Sequence, residues 1–399
     1  ATDRDMGVIE LAATIDSVPY RFVTLKFNMD EKHALVIKNA AQFDAMRMVI
    51  NKGGYYHYSD STFHTAIPAN ADSTDFVAID DGGNERFFKL ITDIDINDIK
   101  EEGHVRGWIP VGGFAGDCCA LYKGNPFKGT FDGGGHTIRH LTFQRYDNFH
   151  PTDFCDHHQG LFGAVDGGTV KNLRIAQSDF ALGNSSAFLC SVNKGGTLYH
   201  CEIDSCTLTI RYGASNDERH DHALLCAKNE GGTIDSCQVK NSEIAPDSSS
   251  LASISNSGGV CALNDRGVVS RCIAEHLSIN DPRQEQGALQ SVGGICGKNF
   301  HGQLQFDAIR NSQITLKMNL PHKFIGGICG LSGYDPDKDT DEQTYAHIPS
   351  VISDCNSDST IINAYTHGDN DSTKKIMNIG GIVGSCQGRI IQLERCSTM

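Results

Sequence analysis

The chain has 399 residues, 39% hydrophobic and 21% charged, with 42 Gly and only 10 Pro. That balance excludes a disordered chain, and a Gly excess without a collagen period points to turns and tight packing. A formal net charge of −15, from 34 Lys and Arg against 49 Asp and Glu, argues against a nucleic-acid partner, and no basic run exceeds Lys374-Lys375.

No apolar run approaches the roughly 20 residues that span a bilayer, so no transmembrane segment is expected. The opening Ala1-Thr2-Asp3-Arg4-Asp5 fits a mature end left by a signal peptidase, and equally a trimmed terminus. Stretches 7–14, 20–27 and 34–37 then read as strands. A helix follows over 39–54, with Asn39 as N-cap, Gln42 at the capping-box position and Gly53 past the end. Phe43, Met46, Val49 and Ile50 share one face of it, the shape of a cap over the first rung of a stacked structure.

Internal repeats decide the fold class. Gly160-Leu161-Phe162-Gly163 aligns with Phe188-Leu189-Cys190, Leu224-Leu225-Cys226, Gly259-Val260-Cys261, Gly294-Ile295-Cys296-Gly297, Gly327-Ile328-Cys329-Gly330 and Gly381-Ile382-Val383-Gly384. Between Cys190 and Cys329 the spacing stays near 35 residues. Three residues past the ladder position stand Asn193, Asn229, Asn264 and Asn299, each followed by a Gly-containing turn. Strand-like runs come next at 197–203, 233–239, 268–273 and 303–309, and a second short run closes each copy. One copy therefore reads as one coil of three strands, paired in parallel with the next coil about 4.8 Å away. The predicted fold is all-β: a right-handed parallel β-helix, or solenoid, with an N-terminal strand-and-helix cap. Residues 1–38 are assigned to N-terminal strands, 39–87 to the capping helix and loop, and 88–399 to the coils. The stacked Asn side chains are expected to form a hydrogen-bonded structural ladder.

From the helix onward the order of motifs resembles a known family. The motifs are Phe88-Lys89-Leu90-Ile91-Thr92-Asp93-Ile94-Asp95-Ile96, Trp108-Ile109-Pro110-Val111-Gly112, Phe127-Lys128-Gly129-Thr130-Phe131-Asp132-Gly133-Gly134-Gly135-His136-Thr137-Ile138 and Val170-Lys171-Asn172-Leu173-Arg174-Ile175. They resemble bacterial surface and secreted proteins with GLUG repeats, found also beside IgA-specific metallopeptidase domains. The resemblance covers roughly residues 39–399 and implies a β-helical fold and an extracellular or cell-surface location, without implying a catalytic residue. The Cys columns and the extra N-terminal strands depart from the family pattern.

Cys190, Cys226, Cys261, Cys296 and Cys329 form one column, and Cys201, Cys237 and Cys272 a second, with Asp307 taking the next place. In-register side chains point the same way and rarely meet disulfide geometry, so reduced core thiols are expected there. Cys118, Cys119, Cys155, Cys206 and Cys386 lie off the columns and are the better bridge candidates.

Two candidate metal sites stand out. Asp335, Asp337, Asp339 and Asp341 alternate as in an oxygen-rich calcium loop, although the Gly and Glu of an EF-hand are missing; a solvated acidic loop is the alternative. His158 and His222 occupy equivalent places two rungs apart, with His150, Asp153, Asp156, His157, His220 and Asp221 nearby, a set suited to a transition metal or to acid–base work. The functional expectation is a secreted or cell-surface structural or adhesive protein that self-associates end to end through its open β-helix ends into filaments, with a glycan or host surface as partner. A polysaccharide lyase or hydrolase, or a glycan-binding module, is the alternative.

Overall fold

Short strands, each ended by a corner, dominate the computed structural model of the chain, which describes residues 6–15, 18–28, 34–101, 104–105, 108–113, 125–142, 159–182, 185–210, 221–246, 256–281, 290–318, 323–333, 349–366, 377–387 and 391–398. Strands of successive coils pair in parallel, and the described residues stack into five walls. The first wall has seven strands, from Phe162–Asp166 to Val383–Gln387. The second has ten, from Leu35–Ile37 to Ile391–Glu394, and the third nine, from Ile94–Asp95 to Ser397–Thr398. The fourth has six, from Asp179–Leu182 to Ile361–Thr366, and the fifth five, from Asp221–Ala223 to Met377–Gly380. The chain is a parallel β-solenoid.

A full coil carries five strands rather than the three expected. One runs Cys226–Glu230, Thr233–Asp235, Gln238–Lys240, Glu243–Pro246 and Asn256–Gly258. The apparent strand 233–239 is broken at Ser236, whose φ of 53° is left-handed; Gly231 at 67° and Asn241 at 48° make the neighbouring corners. The same corners recur at Gly195, His200 and Ser205, at Arg266, Arg271 and His276, and at His301, Phe306 and Asn311. A left-handed non-Gly residue costs about 1–2 kcal/mol, which stacking must offset.

Between corners, the middle residue of each three-residue strand faces inward. Leu198, Ile234, Val269, Leu304 and Ile352 form one such column and Ile203, Val239, Ala274 and Ile309 another, all fully buried. Each buried Leu, Ile or Val side chain contributes about 1.5–3 kcal/mol.

The residue after a corner has an inward N–H, and the next coil supplies its acceptor. Cys206 N donates to Ser242 Oγ at 3.1 Å, Leu277 N to Ser312 Oγ at 3.0 Å and Cys201 N to Cys237 Sγ at 3.4 Å. The accepting groups donate in turn to their own carbonyls two residues back, as Ser312 Oγ does to Arg310 O at 2.7 Å. Cys and Ser in these columns are thus small polar fillers that satisfy corner N–H groups.

The first wall contains the expected Asn ladder. Asn193 Nδ2 donates to Asn229 Oδ1, Asn229 Nδ2 to Asn264 Oδ1 and Asn264 Nδ2 to Asn299 Oδ1, each at 2.8 Å. Each amide also donates across its turn, to the carbonyls of Gly196, Gly232, Gly267 and Gly302 at 3.0–3.1 Å. The ladder explains those glycines: a Cβ on Gly232 would lie 2.3 Å from Asn193 Nδ2 and 2.7 Å from Asn229 Oδ1.

At the N-terminal end, Met6–Ile15 and Val18–Asn28 form an antiparallel hairpin. Leu35–Ile37 instead pairs in parallel with Phe88–Leu90, so the second wall begins within the stretch assigned to N-terminal strands. The helix Ala40–Lys52 follows, with Asn39 Oδ1 accepting from Gln42 N at 2.9 Å and Gly53 at φ 83° closing it. Gln42 Oε1 accepts from Lys38 N at 2.7 Å, one residue earlier than in a capping box. The expected Phe43, Met46, Val49 and Ile50 are buried, and the Phe43 ring stacks on Trp108 with centroids 4.6 Å apart. No helix among the described residues is long and apolar enough to cross a membrane.

Gly231 and Gly232 separate the two demands on the turn. A Cβ on Gly231 meets nothing within 4 Å, so Gly231→Ala carries only the left-handed strain, about 1 kcal/mol. Gly232→Ala displaces the buried amides and is expected to cost roughly 3 kcal/mol. Thermal denaturation of the two variants checks this order.

Candidate functional site

Five inserts of the solenoid share one place in the coil, whereas 334–348 lies between Cys329–Gly333 of the first wall and Ser350–Ser353 of the second. Residues 211–220 join Thr207–Ile210 of the fourth wall to Asp221–Ala223 of the fifth. Residues 247–255, 282–289, 319–322 and 367–376 make the same connection in the coils that follow. Their sequences are mostly polar, from Arg211-Tyr212-Gly213-Ala214-Ser215-Asn216-Asp217-Glu218-Arg219-His220 to His367-Gly368-Asp369-Asn370-Asp371-Ser372-Thr373-Lys374-Lys375-Ile376.

The flanks of these inserts are packed and hydrogen-bonded. Leu208, Ile244, Ile279 and Ile314 are fully buried beneath the fourth wall. At the edge of the fifth, Asn256 Nδ2 donates to Asp221 Oδ1 at 2.8 Å, and Lys228 Nζ lies 3.4 Å from Asp221 Oδ2. The third wall presents charges paired across rungs, Glu202 meeting Arg174 Nε at 3.1 Å and Lys240 Nζ at 3.2 Å, and at the corner before that wall Arg395 grips Asp354 at 2.6 and 2.7 Å. Exposed pairs of this kind add little stability each but favour one register.

The residues singled out from sequence distribute as follows. Asn193, Asn229, Asn264 and Asn299 make the ladder, and Cys190, Cys226, Cys261, Cys296 and Cys329 stand in register beside it, fully buried and without disulfides. Burial pushes the thiols of Cys226, Cys261 and Cys296 well above their ordinary range, so they stay protonated and inert. Cys206 and Cys386, expected as bridge candidates, carry no disulfide either. Cys206 is an inward filler whose thiol burial raises to about 11, and Cys386 continues the Asn column in register with Ser332. Cys118, Cys119 and Cys155 lie outside the described residues, as do Asp335, Asp337, Asp339, Asp341 and His158. His222 is fully buried in the fifth wall, in register with Ser257.

No family model matches the chain, and no curated protein is similar to it in sequence. Two solved structures of related shape are IgA1 protease proteins. One is a candidate immunoglobulin A1 protease from Bacteroides ovatus, 15% identical, with a TM-score of 0.48, covering 94% of this chain and 86% of that one. The other is an IgA1 protease, 15% identical, with a TM-score of 0.47, covering 94% of this chain and 23% of that one. At this level the likeness gives the chain neither an activity nor a substrate. No match identifies the GLUG repeats that the motifs resemble.

Two groups of interest escaped the sequence reading. His57, Asp60 and His64 converge in the antiparallel sheet of the cap, from positions that no repeat marks. Asp307 takes its expected place in the second Cys column, but spacing does not reveal the environment of its carboxyl. It is buried to 1% exposure, Oδ1 accepts from Cys272 N at 2.8 Å, and Oδ2 has no partner. Burial holds its carboxyl well above the ordinary carboxylate range, and the charge of Asp235 adds to this.

A folded value raised in this way gives a definite pH dependence. Its stabilising contribution is fully present below the unfolded value of about 3.9, declines as pH rises above it, and is lost once the folded value is passed. Asp307→Cys restores the column and removes the titration. The variant is expected to melt higher than the natural chain, by about 1–3 kcal/mol of stability, with the gain growing from pH 5 to pH 8. Melting curves across that range check it.

Proposed function

We propose that this chain is a secreted or cell-surface scaffold whose rigid column presents a row of inserts to a glycan or host surface. The observation that carries the reading is the placement of those inserts: coil after coil, the added residues join the fourth wall to the fifth. Loops held in line by a rigid frame offer many weak contacts along one direction, the arrangement that favours adhesion through multivalency. The motifs that resemble exported repeat proteins support the location.

The proposal includes end-to-end association. Ile379 and Leu393 belong to inward columns whose preceding members, Ile325 and Ile352, are buried, yet they are 45% and 53% exposed. A further rung stacked there, whatever its source, buries such residues and pairs the strand edges beside them.

The test replaces 211–220, 247–255 and 282–289 by the short connection Asn319-Leu320-Pro321-His322 that the chain uses at the same corner. The trimmed chain is expected to melt within a few degrees of the natural one while binding to immobilised glycans and to cell surfaces falls at least tenfold. Equal binding by both chains removes the insert corner from the account. Depolymerisation of a polysaccharide by the natural chain replaces the scaffold reading with a catalytic one.

A further inference from the structure

The cap holds a cluster that the solenoid does not need. Gly54–His57, Thr62–His64 and Phe76–Ile79 form a three-stranded antiparallel sheet with Gly54–His57 in the centre. Tyr56 pairs with Phe63 and His57 with Thr62 across the hairpin. Strand alternation sends Tyr56 and Phe63 into the core, where both are buried, and leaves His57, Thr62 and His64 on the outer face. The turn between the strands carries Asp60, with Ser61 left-handed at φ 61°.

On that face the ligand atoms of His57, Asp60 and His64 all lie within 4.8 Å of one another. His57 Nδ1 is 2.9 Å from Asp60 Oδ1, and its other nitrogen, Nε2, is 3.0 Å from Asp75 Oδ2. The imidazole is further held by stacking on Phe76, with centroids 4.3 Å apart and planes 10° from parallel. Ser59 donates to Asp75 through both its N–H and its hydroxyl, and Thr62 Oγ1 donates to Asp60 Oδ1 while lying 2.7 Å from His64 Nε2.

We propose that His57, Asp60 and His64 bind one divalent transition metal ion of the zinc class. Two imidazoles and a carboxylate form a borderline donor set that suits zinc, cobalt or nickel, whereas calcium and magnesium take oxygen ligands alone. Bonds of about 2.0–2.2 Å place such donors roughly 3.3 Å apart in a tetrahedron. Contraction from the observed spacing requires side-chain rotation, in which the 53% exposed Asp60 exchanges its bond from the Thr62 hydroxyl for the metal. Asp75 supplies the outer carboxylate that orients a ligating His by accepting its second ring N–H. Asp60 is already held below the usual carboxylate range, chiefly by the Thr62 hydroxyl, so it offers an anionic oxygen. A simple ion pair accounts for His57 between two carboxylates and leaves His64 with its hydrogen bond to Thr62, without explaining why the ligand atoms of all three residues converge. Three protein ligands leave a coordination position for water or for an external donor.

The test uses the full chain, stripped with chelator and titrated with cobalt(II), whose visible absorption reports ligand geometry. His64→Gln and Asp60→Asn are measured beside it, with circular dichroism to show that each is folded. The natural chain is expected to take one equivalent with the strong bands of a low-coordinate site, and both variants to lack that equivalent. Asp75→Asn is expected to weaken binding about 10–100-fold. Equal occupancy in the natural chain and both variants, or no bound cobalt in the natural chain, overturns the proposal.

Discussion

A buried row of asparagine amides sets the geometry of the coils through the middle of the chain. Each amide of Asn193, Asn229 and Asn264 hydrogen-bonds the next coil and also closes its own turn onto a glycine carbonyl. The first interaction fixes the register between coils, and the second fixes the turn that leads into the second wall. A buried amide left without partners costs about 1–3 kcal/mol, so an error in register is penalised at every rung together. The close approach of the amides also restricts the fourth residue of each Asn-x-x-Gly turn to glycine.

The interior changes character along the axis. Near the cap it is aromatic: Phe127 and Phe131 lie 5.2 and 5.5 Å from Phe162, and Phe43 stacks on Trp108. Further along, aliphatic columns alternate with columns of Cys and Ser that accept hydrogen bonds from corner N–H groups. Thiols that are fully buried and protonated, as at Cys226 and Cys261, react slowly whatever the compartment. Asp307 is the exception among these fillers, since it accepts the corner hydrogen bond but leaves its second oxygen without a partner.

The repeat, the Asn ladder and the capping helix were legible because each leaves a periodic or a local signature. Asn193 through Asn299 recur at near-constant spacing, and Asn39 and Gly53 bracket an amphipathic run. The five-strand coil was not legible, because its corners are made by residues such as Arg271 and Phe306 that carry no turn preference. Stacking, rather than local propensity, holds them left-handed. The burial of His222 was not legible for a related reason: an insert and the wall after it join without any break in polarity, as His220-Asp221-His222 shows. The His57 cluster depends on a hairpin register and on Asp75, neither of which sequence spacing reveals.

Hydrogen exchange read by mass spectrometry on Asn229→Ala addresses the ladder most directly. If the amides couple the coils, protection falls in Cys226–Glu230 and also in the strands on either side, Cys190–Lys194 and Cys261–Asp265. Loss of protection confined to Cys226–Glu230, or no loss at all, would show that apolar stacking alone holds the coils in register.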